Sequence, residues 1–591
     1  MPTHGPVDVE APALRALRWV LWAAPAALIG VLVYAYGVDV PVLDQWDGVF
    51  PLFEKWEAGT LRLAHFYALH NEHRMLFPRL VMFGLAWLSG WNVRTEMFVL
   101  WAMAVLCALN LWRLARATGF GPGTAGPWLL VAATALWFTP LQYENWLLGI
   151  QIGVLLPVFC TTACAWIALS PSAPIRFVAT AALAAVDTYS MASGFLCWPL
   201  TFPLLLYRGG RLAWREQRGW VAIWLLCCAL TLGTYLVGYH KPASHPDPWA
   251  FASQPLAFGS YVFAYLGSNF SSGTALAASP VAECAGGVLL ALLAGCLAYL
   301  WRWRADRALI ARALPWLVLP GLAIGGAVLT AFGRLGFGVE QALMSRYIVF
   351  SIWLPIGLVF VVSLVFQHWA DRAPTRRAAL VGSALIAVAA GFAQLHALGA
   401  LATAPIWADQ MRQRLIAKAQ VELIDVADEP EALQRYVHPD AASLRSRAEA
   451  MDRLGFLRPA LVRSRAISEI ADPRDPGSAE YGEIQNFGWD RSGQWGVLGW
   501  AVLPYARRPA DAVVLTQDDA NGEPQIVTLA KIGVPRADVA GAQSEPAYVR
   551  AGWIERFDAD RLPEGARVKA WAFDAERGHA HRIAGEAVLQ R

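Results

Sequence analysis

Two stretches, "VLDQWDGVFPLFEKW" and "HNEHR", set Asp44, Asp47, His70, Asn71, Glu72, His73 and Arg74 just beyond the apolar run "LRWVLWAAPAALIGVLVYAYG". Charged groups at a membrane edge are costly to keep and point to function by default. A carboxylate there can take the proton of an attacking hydroxyl. Arginine offers a planar fork of donors that matches phosphate oxygens. These residue types can supply a base and anion-binding groups. Further polar residues recur along the chain: His65, then Gln142, Glu144 and Asn145 in "LQYENWLLG", Asp187 and Ser190 in "DTYSMASG", and Arg334, Glu340 and Arg346 in "FGRLGFGVEQALMSRY". Each also has a plainer reading. Asp44 could serve only as a helix cap, and the arginines only as headgroup contacts at span ends.

Which of these residues can meet depends on the elements that carry them. The chain has 591 residues, 57% hydrophobic and 16% charged, with a mean hydropathy of +0.40. A soluble chain carries about a quarter charged residues, so most of this one belongs in lipid. The 28 tryptophans agree, because indole favours the membrane interface. A net charge of +3 gives no footprint for nucleic acid. The eight cysteines fall in or beside apolar runs, without a disulfide framework or a metal-ligand spacing.

Apolar runs recur at 18–36, 96–114, 127–140, 147–169, 174–188, 191–206, 219–239, 284–301, 313–331, 346–367 and 378–399. A span needs about twenty such residues, so about eleven spans are expected, the shorter ones broken or re-entrant. The first reads as a signal anchor, since no small-residue cleavage site follows it. Lysine and arginine set the orientation. The loops "RLARATG", "RGGRLAWREQR", "WRWRADRALIAR" and "DRAPTRR" are basic and read as cytoplasmic, together with the amino terminus bearing Arg15 and Arg18. The run "MLFPRLVMFGLAWLSG", 75–90, cannot cross without inverting every later loop. It is therefore expected as an amphipathic or re-entrant helix on the outer face, within an outer loop spanning 37–95. The polar clusters then collect on that face, which argues for one site rather than scattered loop ends. Within the loop, Trp46, Val49, Phe50, Phe53 and Trp56 fall at helical spacing, as in a helix lying in the membrane interface with Asp44 at its start.

Residues beyond about 400 differ in kind. Positions 401–480 read as polar helix, and 481–591 as short strands separated by Gly, Pro, Asp and Asn, the spacing of a β-sandwich outside the membrane. The expected fold is thus mainly α, a polytopic membrane bundle over 1–400 followed by an outer helical linker and an outer β-sandwich domain.

The order "DQWDGVFPLFEKWEAG", "HNEHRMLFPRLVMFGLAWLSGWN", "VRTEMFVLWAMAVLCALNLWRLAR" resembles that of the polyprenyl-phosphate-dependent glycosyltransferases of the GT-C fold. In many of these a catalytic aspartate follows the first span, then an interfacial helix ending near a glycine, an apolar outer helix, and a second span ending in basic residues. The resemblance covers about 1–120 and departs in Gln45 for the second acid and "HNEHR" for a proline pair. It implies inverting transfer from a polyprenyl-phosphate-linked sugar to a glycan or lipid acceptor on the outer, periplasmic face of the cell membrane. Asp44 would be the general base, because its distance to Gly59 suits the pattern better than that of Asp47. Asp47 or Glu72 would orient the acceptor. Arg334 and Arg346 would hold the phosphate, with His73 and Arg74 in reserve, and His70, Asn71, Gln142, Glu144 and Asn145 would contact substrate. Some members build a divalent-metal site from paired acids; here Gln45 occupies the second position. The alternative class is a transporter or flippase of lipid-linked sugars, whose ionisable residues would lie near the bilayer midplane in broken helices.

Overall fold

The computed structural model describes residues 12–590 except 122–123, 209, 242–245, 248, 274–276, 428, 491–492 and 559–560. The amino-terminal stretch assigned to the cytoplasm lies, up to residue 11, outside the described residues.

The chain is mostly helical, with a β domain at its carboxyl end. Eight helices among the described residues are long and apolar enough to cross a membrane, rather than about eleven. The difference comes from short runs. Gly126–Trp137 has 12 residues, ending before the "TP" at 139–140, and Thr180–Thr188 has 9 after a π-helical turn. Proline disfavours helix in the residue before it, which stops the first run below a full span, and the second ends at the turn Tyr189–Ser190. Leu76–Ser89 and Ala192–Leu206 are also shorter apolar helices. At about 1.5 Å per residue the 14 residues of Leu76–Ser89 fall well short of a bilayer core.

The chain forms two compact units: Met1–Gly37, Ala58–Gly84 and Arg94–Trp407 make the first, and Val38–Glu57, Leu85–Val93 and Ala408–Arg591 the second. This division differs from the sequence expectation of one membrane domain over 1–400 that keeps the whole loop 37–95. Part of that loop folds with the carboxyl-terminal region instead.

The reason is a shared aromatic core in the second unit. The stretch 44–57 is two helices, Asp44–Gly48 and Phe50–Glu57. Trp46, Val49, Phe50 and Phe53 are buried. Phe53 lies 4.8 Å from Trp91 and 5.0 Å from Phe456, ring centre to ring centre. Only Trp56 of the expected membrane face is substantially exposed, at 51%. The interfacial helix is thus corrected: its apolar side is satisfied by protein, which offers shape-matched ring contacts.

The strands of the second unit also depart from expectation. Trp495–Leu503 pairs with Gly552–Phe557, which pairs in turn with Pro524–Val534. The order continues through Ala512–Asp518, Arg567–Asp574, His579–Ala584 and Ser478–Trp489, which returns to Trp495–Leu503. The sheet closes on itself as a barrel, not a two-sheet sandwich. Closure leaves these strands no free edge. Gly499 and Gly482 permit one tight crossing, since a Cβ on either would strike the backbone of the facing strand. Val513, Leu515, Val568, Ala570 and Ala572 fill the barrel. Their neighbours Val514, Trp571 and Phe573 point outward, under Leu423, Val426, Val462 and Ile467. Alternate residues therefore serve two cores, which explains the continuous apolar run "AWAF" at 570–573.

Candidate functional site

In the first unit, Leu69–His70 and His73–Arg74 pair as a two-strand hairpin with Asn71 and Glu72 at its turn. Asn71 takes a left-handed φ of 51°, a conformation asparagine tolerates better than most residues. The hairpin presents Glu72, whose Oε1 accepts from Arg334 at 2.8 Å. Arg334 is the last residue of the helix Arg307–Arg334. His73 Nδ1 accepts from the Ala192 amide at 3.2 Å, leaving Nε2, 3.7 Å from Glu72 Oε1, to carry the ring proton. The structure thus joins Glu72, His73 and Arg334 from positions far apart in the chain.

Arg74 has a different task. It is buried, and its Nε donates to the Tyr235 carbonyl at 2.7 Å while its terminal nitrogens donate to the Tyr67 and Val237 carbonyls. Its guanidinium also lies 4.3 Å from the Tyr67 ring centre. Tyr235 returns a bond from its hydroxyl to the Glu72 carbonyl at 2.8 Å. Arg79 likewise donates to the Phe66 and Ala68 carbonyls. These two arginines fasten the hairpin. An open hollow of about 600 Å³ lies beside it, lined by Ala68, Leu69, Asn71, Arg74, Val237, Gly238 and His240.

A second group of the first unit surrounds Arg346. Glu144 Oε2 accepts from the Arg346 amide at 3.0 Å, and Ser345 Oγ accepts from the Glu144 amide at 3.2 Å. Asn145 Nδ2 donates to the Arg346 carbonyl at 3.2 Å, and Gln142 Nε2 donates to the Trp137 carbonyl at 2.7 Å. Glu144 and Asn145 therefore hold the backbone that carries Arg346, and Gln142 accepts from Asn145 at 3.4 Å. Asn145 Oδ1 is buried with no partner among the described residues. Asp187, expected at an outer turn, is instead buried in the helix Thr180–Thr188 and accepts from Thr161 at 2.9 Å. Ser190 donates to the Val186 carbonyl, His65 Nδ1 accepts from the Arg62 amide, and Glu340 is exposed.

The second unit holds Asp44 and Asp47. Asp47 accepts from His438 Nε2 at 2.8 Å and from Arg447 at 3.0 Å. Burial raises its pKa, but the bonds and charges of His438 and Arg447 outweigh this and hold it below the ordinary 3.8. Leu43 adds a backbone bond to Val437 at 2.8 Å. Asp44 opens its helix, is exposed, and has no hydrogen-bond or ion-pair partner among the described residues.

Sequence reasoning missed His438, Arg447 and Tyr235. Their partners lie 391, 400 and 163 residues away, so no local spacing marks them. Among the described residues no three His, Cys, Asp or Glu gather as metal ligands. With Asp47 bound to two basic side chains and Gln45 buried, the paired acids of a metal site are not assembled. The cysteines among the described residues are free thiols. No family model, curated protein or solved structure matches the chain.

Proposed function

We propose that this membrane protein is a glycosyltransferase that moves a sugar from a polyprenyl-phosphate donor to a glycan or lipid acceptor on the outer face, with Asp44 as general base. One observation carries the choice of base. Of the three acidic candidates, Asp47 and Glu72 are each ion-paired, whereas Asp44 presents an exposed carboxylate without a partner among the described residues. An unpaired carboxylate keeps its lone pairs for an acceptor hydroxyl.

Arg334 and Arg346 are the residues to hold the donor phosphate. Glu72 and His73 orient Arg334, and Glu144, Asn145 and Ser345 fix the backbone of Arg346. Positioned forks of this kind stabilise the charge that develops on a departing phosphate. Arg74 moves from substrate contact to support of the hairpin.

The discriminating experiment is mass analysis of lipids that co-purify with the protein. Polyprenyl phosphate should be retained, and Arg334→Ala with Arg346→Ala should reduce it at least ten-fold. Its absence from the wild-type protein, with transport of a lipid-linked sugar in reconstituted vesicles, would favour the carrier instead.

A further inference from the structure

The residue before Asp44 stands in a backbone conformation that its type disfavours. Residues 42–45 form a tight turn, closed by the Gln45 amide donating to the Val42 carbonyl at 3.2 Å. Leu43, the second residue of this turn, has φ 50° and ψ −130°. Those are the angles of the second residue of a type II′ turn, a place glycine normally takes because a Cβ is crowded there. Leucine persists in such a conformation only where its surroundings over-determine it. Strain of this kind gathers at functional sites, and here the next residue is the proposed base.

The surroundings that hold Leu43 come largely from 437–447. The Leu43 amide donates to the Val437 carbonyl at 2.8 Å. Arg447 Nη1 donates to the Trp46 carbonyl at 3.3 Å and to Asp47 Oδ1 at 3.0 Å. His438 Nε2 donates to Asp47 Oδ2 at 2.8 Å, and its Nδ1 accepts from the Asp440 amide at 3.1 Å, which leaves the ring proton on Nε2. The buried Trp46 indole donates to the Pro41 carbonyl at 3.0 Å. The helix Asp44–Gly48 has five residues, too few to hold a shape without such support. Fixed points therefore lie on both sides of Asp44, while Asp44 itself is exposed.

On the reading of Asp44 as general base, we propose that Leu43, His438 and Arg447 are its positioning residues. The segment 437–447 clamps the turn in its strained form and so fixes the direction in which the Asp44 carboxylate points. A base must meet the acceptor hydroxyl at hydrogen-bond distance, and a misplacement of about 1 Å can cost about 10²-fold in rate. Were Leu43 to relax to a negative φ, the peptide joining it to Asp44 would rotate and carry the carboxylate away. The clamp opposes that rotation from both ends, through Val437 before Asp44 and through Arg447 and His438 after it. Glycine at position 43 holds the same turn without strain, so a weakened clamp then suffices.

The test uses the full chain and reads hydrogen exchange at 42–48 together with transfer kinetics. Polyprenyl-phosphate-linked hexoses and pentoses serve as donors, and native membrane glycans as acceptors. Arg447→Met should speed exchange at 42–48 and lower kcat by about 10²-fold, with the donor KM unchanged. Arg447→Lys, which keeps the charge but not the fork, should fall between the two and serves if the methionine variant does not fold. In either background Leu43→Gly should restore protection and recover kcat several-fold, which a loss of packing alone would not allow. Unaltered exchange, an unaltered kcat beside faster exchange, or no recovery with Leu43→Gly would each overturn the proposal. Wild type that protects 42–48 yet transfers no sugar would sink the glycosyltransferase reading and the positioning role with it. Active wild type beside Arg447 variants that keep both protection and rate would sink the clamp alone.

Discussion

Asp44 and Asp47 stand three residues apart, yet their surroundings give them opposite capacities. Asp44 is exposed and unpartnered among the described residues, so its removal should cost chemistry rather than stability. Asp44→Asn is expected to lower sugar transfer by about 10²–10⁴-fold, the usual worth of a general base, with the melting temperature and donor retention unchanged. Full activity in that variant would move the base to Asp47 or Glu72, and activity in all three single variants would remove the enzyme reading. Asp47 is the reverse case, a carboxylate held by His438 and Arg447. Asp47→Asn should lower stability by about 0.5–1 kcal/mol at pH 7, the range for a partly screened ion pair. Its pKa is lower folded than unfolded. The contribution is therefore complete above the unfolded value and fades as pH falls through the folded one. Melting curves of wild type and variant should converge below the ordinary 3.8. A difference that persisted there would mean that packing, not charge, is at work.

At the scale of elements, the hairpin 69–74 shows how one side chain can hold a turn in place. Arg74 donates to carbonyls on both sides of its fork, from Tyr67, Tyr235 and Val237. Arg74→Met leaves those carbonyls short of donors at a cost of about 3 kcal/mol, since each orphaned buried group costs about 1–3 kcal/mol. Arg74→Lys should recover little of it, because an ammonium is a point charge without the planar fork. A melting temperature unaltered in Arg74→Met would show that the hairpin is held by its neighbours. The spacing of "HNEHR" revealed charge but not this division of labour. Arg74 and Glu72 look equivalent in sequence, and only the nearness of backbone carbonyls to one and of Arg334 to the other separates them. The stretch 44–57 teaches the same point. Its apolar spacing was legible in the sequence, but not whether lipid or Trp91 and Phe456 would cover it, because both satisfy the same hydrophobic demand.

For the whole molecule, the proposed orientation, which rests on the basic loops, puts the segment 58–64 outside and the loop 371–377 inside. With the native cysteines replaced by alanine, an impermeant thiol reagent should label Thr60→Cys in intact cells and Thr375→Cys only after lysis. Both positions are exposed, so the reverse pattern would invert the orientation rather than report burial. Hydropathy and periodicity alone determined that this chain is a bundle of membrane helices followed by a β domain, since about twenty apolar residues can be satisfied in lipid only as a helix. They also determined which residues could do chemistry, because ionisable groups beside spans stand out against apolar surroundings. Tertiary structure decided the rest. Strand spacing is the same for a sandwich and a barrel, and the pairing of Trp495–Leu503 with Gly552–Phe557 closed the sheet. Sequence drew a boundary near 400, but long-range contacts of Leu43 and Asp47 with Val437, His438 and Arg447 bound residues 38–57 to the carboxyl-terminal unit. Short-range pattern encodes what each segment prefers to bury. Which distant partner buries it, and which carboxylate is left free, is fixed only when the chain has folded.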